Sequence, residues 1–398
     1  MSIYRELGIE PVINASGSVT RLGGAVMPPE VVQAYVDAAQ ATVPLEQLQA
    51  LASKRIAEAT GTDAGIVTTG AAAALTLGTA AILARLDAGK MERLPHTDGM
   101  KNEFIIAREQ RSGYDHAVRA AGARLVEVGF NEIVANAGVR RTEVWEYEAA
   151  IAEKTAGIVY VYSPTSRPNV AELVRMARVH DIPVLIDAAG ELPPRSNLKT
   201  IPASGADLVA FSGGKTIRGP QSTGILCGRK DLITSAVLQL LDMDDHPELW
   251  SPPEEFIDVD MLTGMPRHGF CRGMKVAKEQ IVSLLKALEM FTSGAYLPLV
   301  PQYRERLQMI AKTLSNHPVT CTIVEKNDDE SPPYLEIRLD EERLKQTAFD
   351  ICRGLRGGSP SIYVGHGKLP QKTLVINPTC VRDDEWATLT KRLSDSLI

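Results

Sequence analysis

Short apolar runs and helical stretches alternate along most of the chain. Leu48, Leu51, Ala52, Ile56 and Ala59 follow helical spacing across Leu45–Thr60, and Gly61 ends that helix. An apolar run at 65–68 leads through a small-residue turn into an alanine-rich helix that closes near Leu86. Strands are expected at Glu103–Ala107, 125–128 and 157–162, and helices at 144–153 and 170–180. Residues 184–186 and 208–211 are two more short apolar runs, bounded by Pro183 and by glycines, which predicts buried parallel strands. Residues 225–228 read as an antiparallel return strand. Strand–helix alternation over this span predicts an α/β fold, a mostly parallel sheet with helices on both faces.

The flanks follow a different pattern. Pro29 and Glu30 mark a helix start after a glycine-rich loop at 16–24. Residues 87–100 are polar without periodicity and read as a surface loop, with His96 and Asp98 solvated rather than metal ligands. After an acidic, proline-rich linker at 242–256 and a loop at 264–273, a long helix is expected at 275–291. Helices at 299–315, 341–355 and 384–396 and strands at Val319–Val324, Tyr334–Leu339, 361–364 and Thr373–Ile376 then predict a compact α+β unit. The expected division is an N-terminal arm at 1–44, a large domain at 45–256 and a smaller α+β domain at 257–398.

Two polar residues stand where apolar runs end. Asp187 closes 184–186, and Lys215 follows Ser212-Gly213-Gly214 after 208–211. Ligands of open α/β sheets sit beyond the carboxyl ends of the strands, where both residues fall. A lysine held in a pocket attacks carbonyls and forms Schiff bases. Pyridoxal phosphate needs such a lysine, a carboxylate facing its pyridinium nitrogen, and donors for its phosphate. Asp187 is expected to keep the ring nitrogen protonated, and Ser212 with its neighbouring glycine amides to meet the phosphate. Upstream, Gly70, Ala71 and Ala72 open the alanine-rich helix, whose free amides form a ready anion site. An alanine-rich run alone is more simply a packed buried helix; the company of Lys215 and Asp187 selects the phosphate reading.

Composition narrows the classes. The chain has 398 residues, 44% hydrophobic and 23% charged, with 43 basic and 49 acidic side chains and a net charge of −6. That balance argues against a general nucleic-acid binder. The five cysteines are scattered and form no C-x-x-C pair, so reduced thiols are expected rather than a disulfide frame or zinc knuckle. Cys271 is a minor candidate because it precedes Arg272 in a loop. No basic-then-apolar leader opens the chain, and its longest small-apolar run, from Ala71 to Ala84, is too short to span a bilayer. A cytoplasmic protein without nucleic-acid or membrane partners is expected.

The order TTGAAAAL, LIDAAG and SGGKTIRGPQSTG resembles the fold-type I pyridoxal-phosphate enzymes. VINASGSVTRLGG and CRGMKVAKEQIVSLLKALE are similar to their selenocysteine synthase-like branch, which includes D-glucosaminate-6-phosphate ammonia-lyase. The likeness runs from about Ile9 to Arg382. It implies a seven-stranded-type sheet, pyridoxal 5'-phosphate as cofactor, and a homodimer or larger homo-oligomer. It also implies a residue stacked on the cofactor ring from the loop after Glu103–Ala107, where Gln110, Arg111, Tyr114 and His116 stand. Ser163, ending the strand at 157–162, either contacts the cofactor or closes its own turn. Asn14 and Arg21 in the N-terminal loop, Arg272, and Arg356 in the C-terminal domain are candidates for holding substrate. The late strand at 374–376 lacks the arginine common in such enzymes. Arg21, Arg111, Arg267, Arg272 and Arg356 suit an acidic or phosphorylated amino acid. The reaction expected is a lyase that eliminates a β-substituent and ammonia to give a 2-oxo acid. A racemase or epimerase is the alternative, then a transaminase; a non-catalytic binding protein of the same fold is the alternative of another class. Selenocysteine synthase proper is not expected, because the chain is acidic and shows no evident tRNA-binding segment.

Overall fold

The computed structural model describes residues 2–130, 141–265 and 267–397. Its strands are β1 (Ile13–Ala15), β2 (Ala64–Thr68), β3 (Glu103–Ala107), β4 (Arg124–Val128), β5 (Thr155–Val161), β6 (Val184–Asp187) and β7 (Leu208–Ser212). They continue as β8 (Gly224–Gly228), β9 (Val319–Val324), β10 (Tyr334–Leu339), β11 (Ile362–Val364) and β12 (Thr373–Ile376). The loop expected after β4 lies largely outside the described residues.

The chain forms two compact units, one of residues 27–292 and one of residues 1–26 with 293–398. These boundaries differ from the three segments expected at 44 and 256. The reason is backbone pairing: β1 of the arm lies parallel to β11, Ile13 opposite Ile362, and Ser16 bridges to Asn377. The first residues therefore belong with the last.

Residues 27–292 hold a seven-stranded sheet in the order β2-β8-β7-β6-β5-β3-β4. β8 runs antiparallel to both neighbours and the other pairs are parallel, as the sequence predicts. The helix Ala71–Ala84 is buried from Ala73 onward, in keeping with its lack of charged residues. Its Thr76 and Thr79 hydroxyls satisfy themselves on the Ala117 and Leu75 carbonyls at 2.9 and 2.8 Å. Residues 87–100 are not simply surface loop. Asp87 caps a short helix, Ala88–Arg93, whose Met91 is buried along with Leu94 and Met100. Three apolar side chains among polar ones are too few to show a period in the sequence, but enough to anchor the segment.

The sheet edge at β2 is closed by side chains. Gln49 of the helix Leu45–Thr60 donates from Nε2 to the Val67 carbonyl at 3.0 Å and accepts the Val67 N–H at 3.1 Å. Ser53 Oγ accepts the Gly65 N–H at 3.1 Å. This helix replaces an eighth strand with amide and hydroxyl groups, so the edge is unavailable to another chain.

The other unit packs helices Leu299–Thr313, Ala348–Gly357 and Trp386–Asp395 around the antiparallel sheet β12-β10-β9. Leu335, Ile337 and Leu339 of β10 are buried, while Glu336 and Arg338 between them face outward. The single helix expected at 341–355 is interrupted. Lys345 takes a left-handed conformation, and Thr347 then caps the helix Ala348–Gly357 through a reciprocal bond with Asp350.

Replacing Gln49 by Leu strands the Val67 N–H and carbonyl in a buried place. Urea denaturation is expected to show a loss of roughly 2–6 kcal/mol, about 1–3 per orphaned group. A loss under about 1 kcal/mol would mean that this side chain does not hold the edge.

Candidate active site

Polar residues gather at the carboxyl ends of the parallel strands. The chain runs outward from β3 to β4 and then returns to the other side of β3 at β5, so the direction of winding reverses there. Such reversals open a crevice at the strand ends. Asp187 ends β6, opposite Ala210 of β7, and Lys215 lies in the turn that β7 enters. A Cβ at Gly190 would come within 4.0 Å of Lys215 Nζ, so the amine points toward the turn that follows Asp187. Nothing in the sequence marked Gly190 beyond its place in the run after Asp187.

Burial raises the Asp187 pKa above its ordinary value, and the Ala189 N–H and the Lys215 charge hold back part of that rise. The Ala189 N–H donates to Oδ1 at 3.0 Å. Oδ2 receives no donor among the described residues. A carboxylate in this state has one oxygen free for a cationic donor.

The turn carrying Lys215 is fixed by close backbone approach. A Cβ on Gly214 would stand 2.5 Å from the Gln221 Cα, and the Gly213 N–H donates to the Thr223 carbonyl at 2.9 Å. Thr223 then leads into β8, where Gly224 pairs with Ser212. A Cβ on Gly224 would lie 2.4 Å from the Gly70 carbonyl carbon and 2.6 Å from the Ala71 nitrogen. Only glycine lets β8 touch the start of the helix Ala71–Ala84. Gly70 enters that helix at φ +88°, no side chain caps it, and its first intrahelical donor is Ala74. The amides of Ala71 and Ala72 therefore lack intrahelical acceptors. Gly70, Ala71, Ala72, Ser212 and Lys215 thus share one neighbourhood. Two further ties hold it. Thr69 Oγ1 donates to the Met274 carbonyl at 2.9 Å, and Gln280 Nε2 donates to Ser222 Oγ at 2.5 Å.

The other sequence candidates divide by what already occupies them. Gln110 is buried; its Oε1 accepts the Val161 N–H at 2.9 Å and its Nε2 donates to the Arg167 carbonyl at 3.3 Å. It bridges the ends of β3 and β5. Ser163 Oγ lies 2.8 Å from Ser166 Oγ, inside its own turn. Arg111 is paired with Asp115 and Glu127, and His116 lies 3.1 Å from Arg119. Tyr114 is exposed. Arg272 is paired with Asp242, whose carboxyl it holds below the usual range, and Arg267 pairs with Glu92 at 3.2 Å. Cys271 is fully buried, and burial pushes its thiol up to about 12, so it is no nucleophile. No group of three or more metal-ligating side chains, and no helix long and apolar enough to cross a membrane, occurs among the described residues.

Asn14, Arg21 and Arg356 belong to the unit of residues 1–26 and 293–398. Asn14 closes its own turn, donating to the Gly17 carbonyl and accepting the Ser16 N–H, both at 2.9 Å. Arg21 Nη2 lies 3.2 Å from His366 Nδ1, and Arg356 lies over the Tyr363 ring, 5.1 Å from its centroid. His366 and Tyr363 carried no signal in the sequence.

Residues 12–241 match the family described as SelA, L-seryl-tRNA selenium transferase. The chain belongs to this family. The 5'-C-glycyluridine monooxygenase-decarboxylase of a Streptomyces species is 30% identical over 99% of this chain and 92% of that one. The D-glucosaminate-6-phosphate ammonia lyase of Salmonella typhimurium is 29% identical over 99% of this chain and 97% of the relative. A solved structure of D-glucosaminate-6-phosphate ammonia-lyase superposes with a TM-score of 0.81 at 28% identity, covering 100% of this chain and 98% of that one. The fold is that of the fold-type I pyridoxal-phosphate enzymes, and members of the SelA family and of this fold depend on pyridoxal phosphate.

Asp187 supplies a test with a defined sign. Its folded pKa is raised, so ionisation favours unfolding as pH climbs from the ordinary carboxylate value to the raised one. Asp187→Asn removes that cost. The cofactor-free variant is expected to melt no lower than the parent at pH 7 while binding pyridoxal phosphate more weakly. A variant that melts well below the parent would show that Asp187 stabilises the unloaded chain.

Proposed function

We propose that the chain is a pyridoxal-phosphate-dependent lyase that converts an amino acid with a β-leaving group to a 2-oxo acid and ammonia. The observation that carries this is the half-buried Asp187 carboxylate, with one oxygen lacking a donor, and the Lys215 amine at the ends of adjacent parallel strands. Likeness over nearly the whole length of the ammonia lyase supports the reaction class. The residues fit the cofactor. Asp187 has the free oxygen that a pyridinium N–H requires, and the uncapped amides of Gly70, Ala71 and Ala72, with Ser212 nearby, suit its phosphate. When bound, the cofactor supplies an electron sink for the bonds of the substrate α-carbon.

Each residue then has a defined task. Lys215 carries the cofactor through Nζ at rest, and its freed amine takes the proton from the substrate α-carbon. Asp187 would face the ring nitrogen and accept a hydrogen bond from its proton. Gln110, spent on the Val161 and Arg167 backbone, positions the strand ends around the ring rather than stacking through a free amide. Gly190 keeps the approach to Lys215 Nζ open.

Borohydride reduction of the loaded protein, followed by peptide mapping, is expected to place the adduct on Lys215. Lys215→Ala is expected to abolish both adduct and turnover. Product analysis on phosphorylated and acidic amino acids decides the reaction. Equal yields of ammonia and 2-oxo acid fit the lyase. An inverted amino acid would replace this reading with a racemase, and retention of nitrogen on the enzyme with a transaminase. Carbon dioxide release would move it toward the chemistry named for the Streptomyces relative.

A further inference from the structure

Five arginines suited a negatively charged substrate from the sequence, and the structure sorts them. Arg111, Arg267 and Arg272 each face a carboxylate. Arg21 and Arg356 face none among the described residues. Both lie in the unit of residues 1–26 and 293–398, Arg21 against His366 and Arg356 over Tyr363, three residues earlier in the chain. Arg21 follows β1 in the turn Thr20–Leu22, Arg356 ends the helix Ala348–Gly357, and His366 comes two residues after β11. The parallel pairing of β1 with β11 brings these three elements together.

Two cations without a counterion repel each other and gain nothing from the chain. The structure nevertheless holds each in place. Tyr363 offers its ring to the Arg356 guanidinium, a contact that orients a planar cation without neutralising it. Arg356 Nε is buried and has no hydrogen-bond partner. His366 Nδ1 meets Arg21 Nη2 at 3.2 Å, and since a guanidinium only donates, Nδ1 accepts. The neutral ring then carries its proton on Nε2, a third donor. Burial, and then the charges of Arg21 and Arg356, keep His366 below its ordinary pKa and so in this neutral form.

We propose that Arg21, Arg356 and His366 form a binding site for a terminal phosphate group. Two guanidinium forks and one imidazole N–H match three terminal oxygens, and two positive charges match a dianion. Assigning that phosphate to the substrate rests on the lyase reading; the anion site does not. His366 acts partly as a positioning residue, because it fixes Arg21 through Nδ1.

The test uses the full chain loaded with pyridoxal phosphate and reduced with borohydride, so that the cofactor's own phosphate site is filled. Inorganic phosphate and acetate are titrated at pH 7 and low salt by calorimetry. Phosphate is expected to bind at least about tenfold more tightly than acetate, and Arg21→Gln and Arg356→Gln each to weaken it by about tenfold, as losing one charged hydrogen-bond donor implies. Arg356→Lys should recover part of the loss, and His366→Asn, which keeps an acceptor for Arg21, should be milder than His366→Leu. Arg304→Gln, which breaks the pair with Glu325 in the same unit, should leave binding unchanged. Circular dichroism and melting confirm that each variant folds. Unaltered phosphate binding in both arginine variants, or none in the parent, overturns the site. Acetate bound as tightly as phosphate overturns the assignment to phosphate. A raised KM for phosphorylated substrates in Arg356→Gln would identify the occupant as a substrate's phosphate, and an unmoved KM as free phosphate. Absence of an adduct on Lys215 strikes the lyase reading alone, since the difference between the parent and its arginine variants reads the anion site whether or not the cofactor is bound.

Discussion

A carboxylate taken out of water without a full set of partners is the constraint on which the catalytic half of this chain depends. Asp187 has one backbone donor and the field of the Lys215 ammonium, and burial still raises its pKa. Such a group is costly unless something positive arrives. The sheet makes the arrangement possible. β6 and β7 are parallel and in register, so the residue ending one and the loop ending the other open onto the same crevice. β8 then runs back antiparallel and carries Gly224 against the start of the helix Ala71–Ala84. One hairpin therefore joins the lysine loop to the helix amides, and two glycines set how closely they meet.

Much of this was legible because it depends on period and composition. Short apolar runs ending in Asp187 and in Ser212-Gly213-Gly214-Lys215 announced buried strands and a site at their ends. The alanine-rich helix announced itself by having no polar face. The association of the arm with the C-terminal unit was not legible, because β1 has three residues and its partner β11 is separated from it by most of the chain. Three residues carry no period, and parallel pairing across that distance leaves no local trace. The anchor at Met91, Leu94 and Met100 was hidden among polar residues for the same reason.

The side-chain candidates show a second limit. Sequence offered five arginines of equal standing, and it could not tell which had a carboxylate nearby. Pairing with Asp115, Asp242 or Glu92 is a tertiary fact. Gln110 was picked as a ring-stacking group for its place after β3, yet its amide is committed to two backbone groups. His366 and Tyr363 escaped notice altogether. Their roles come from facing Arg21 and Arg356, which no spacing rule encodes.

The discontinuity of the smaller unit has a consequence for synthesis. Residues 1–26 leave the ribosome first, but the strand that β1 joins arrives only after residue 361. Residues 27–292 are complete and contiguous well before that, and domains generally fold as units in the order they emerge. The arm must therefore wait through most of translation with β1 unpaired and its apolar residues exposed. Closure of that long loop waits for the C-terminal strands, and its entropic cost grows only slowly with length.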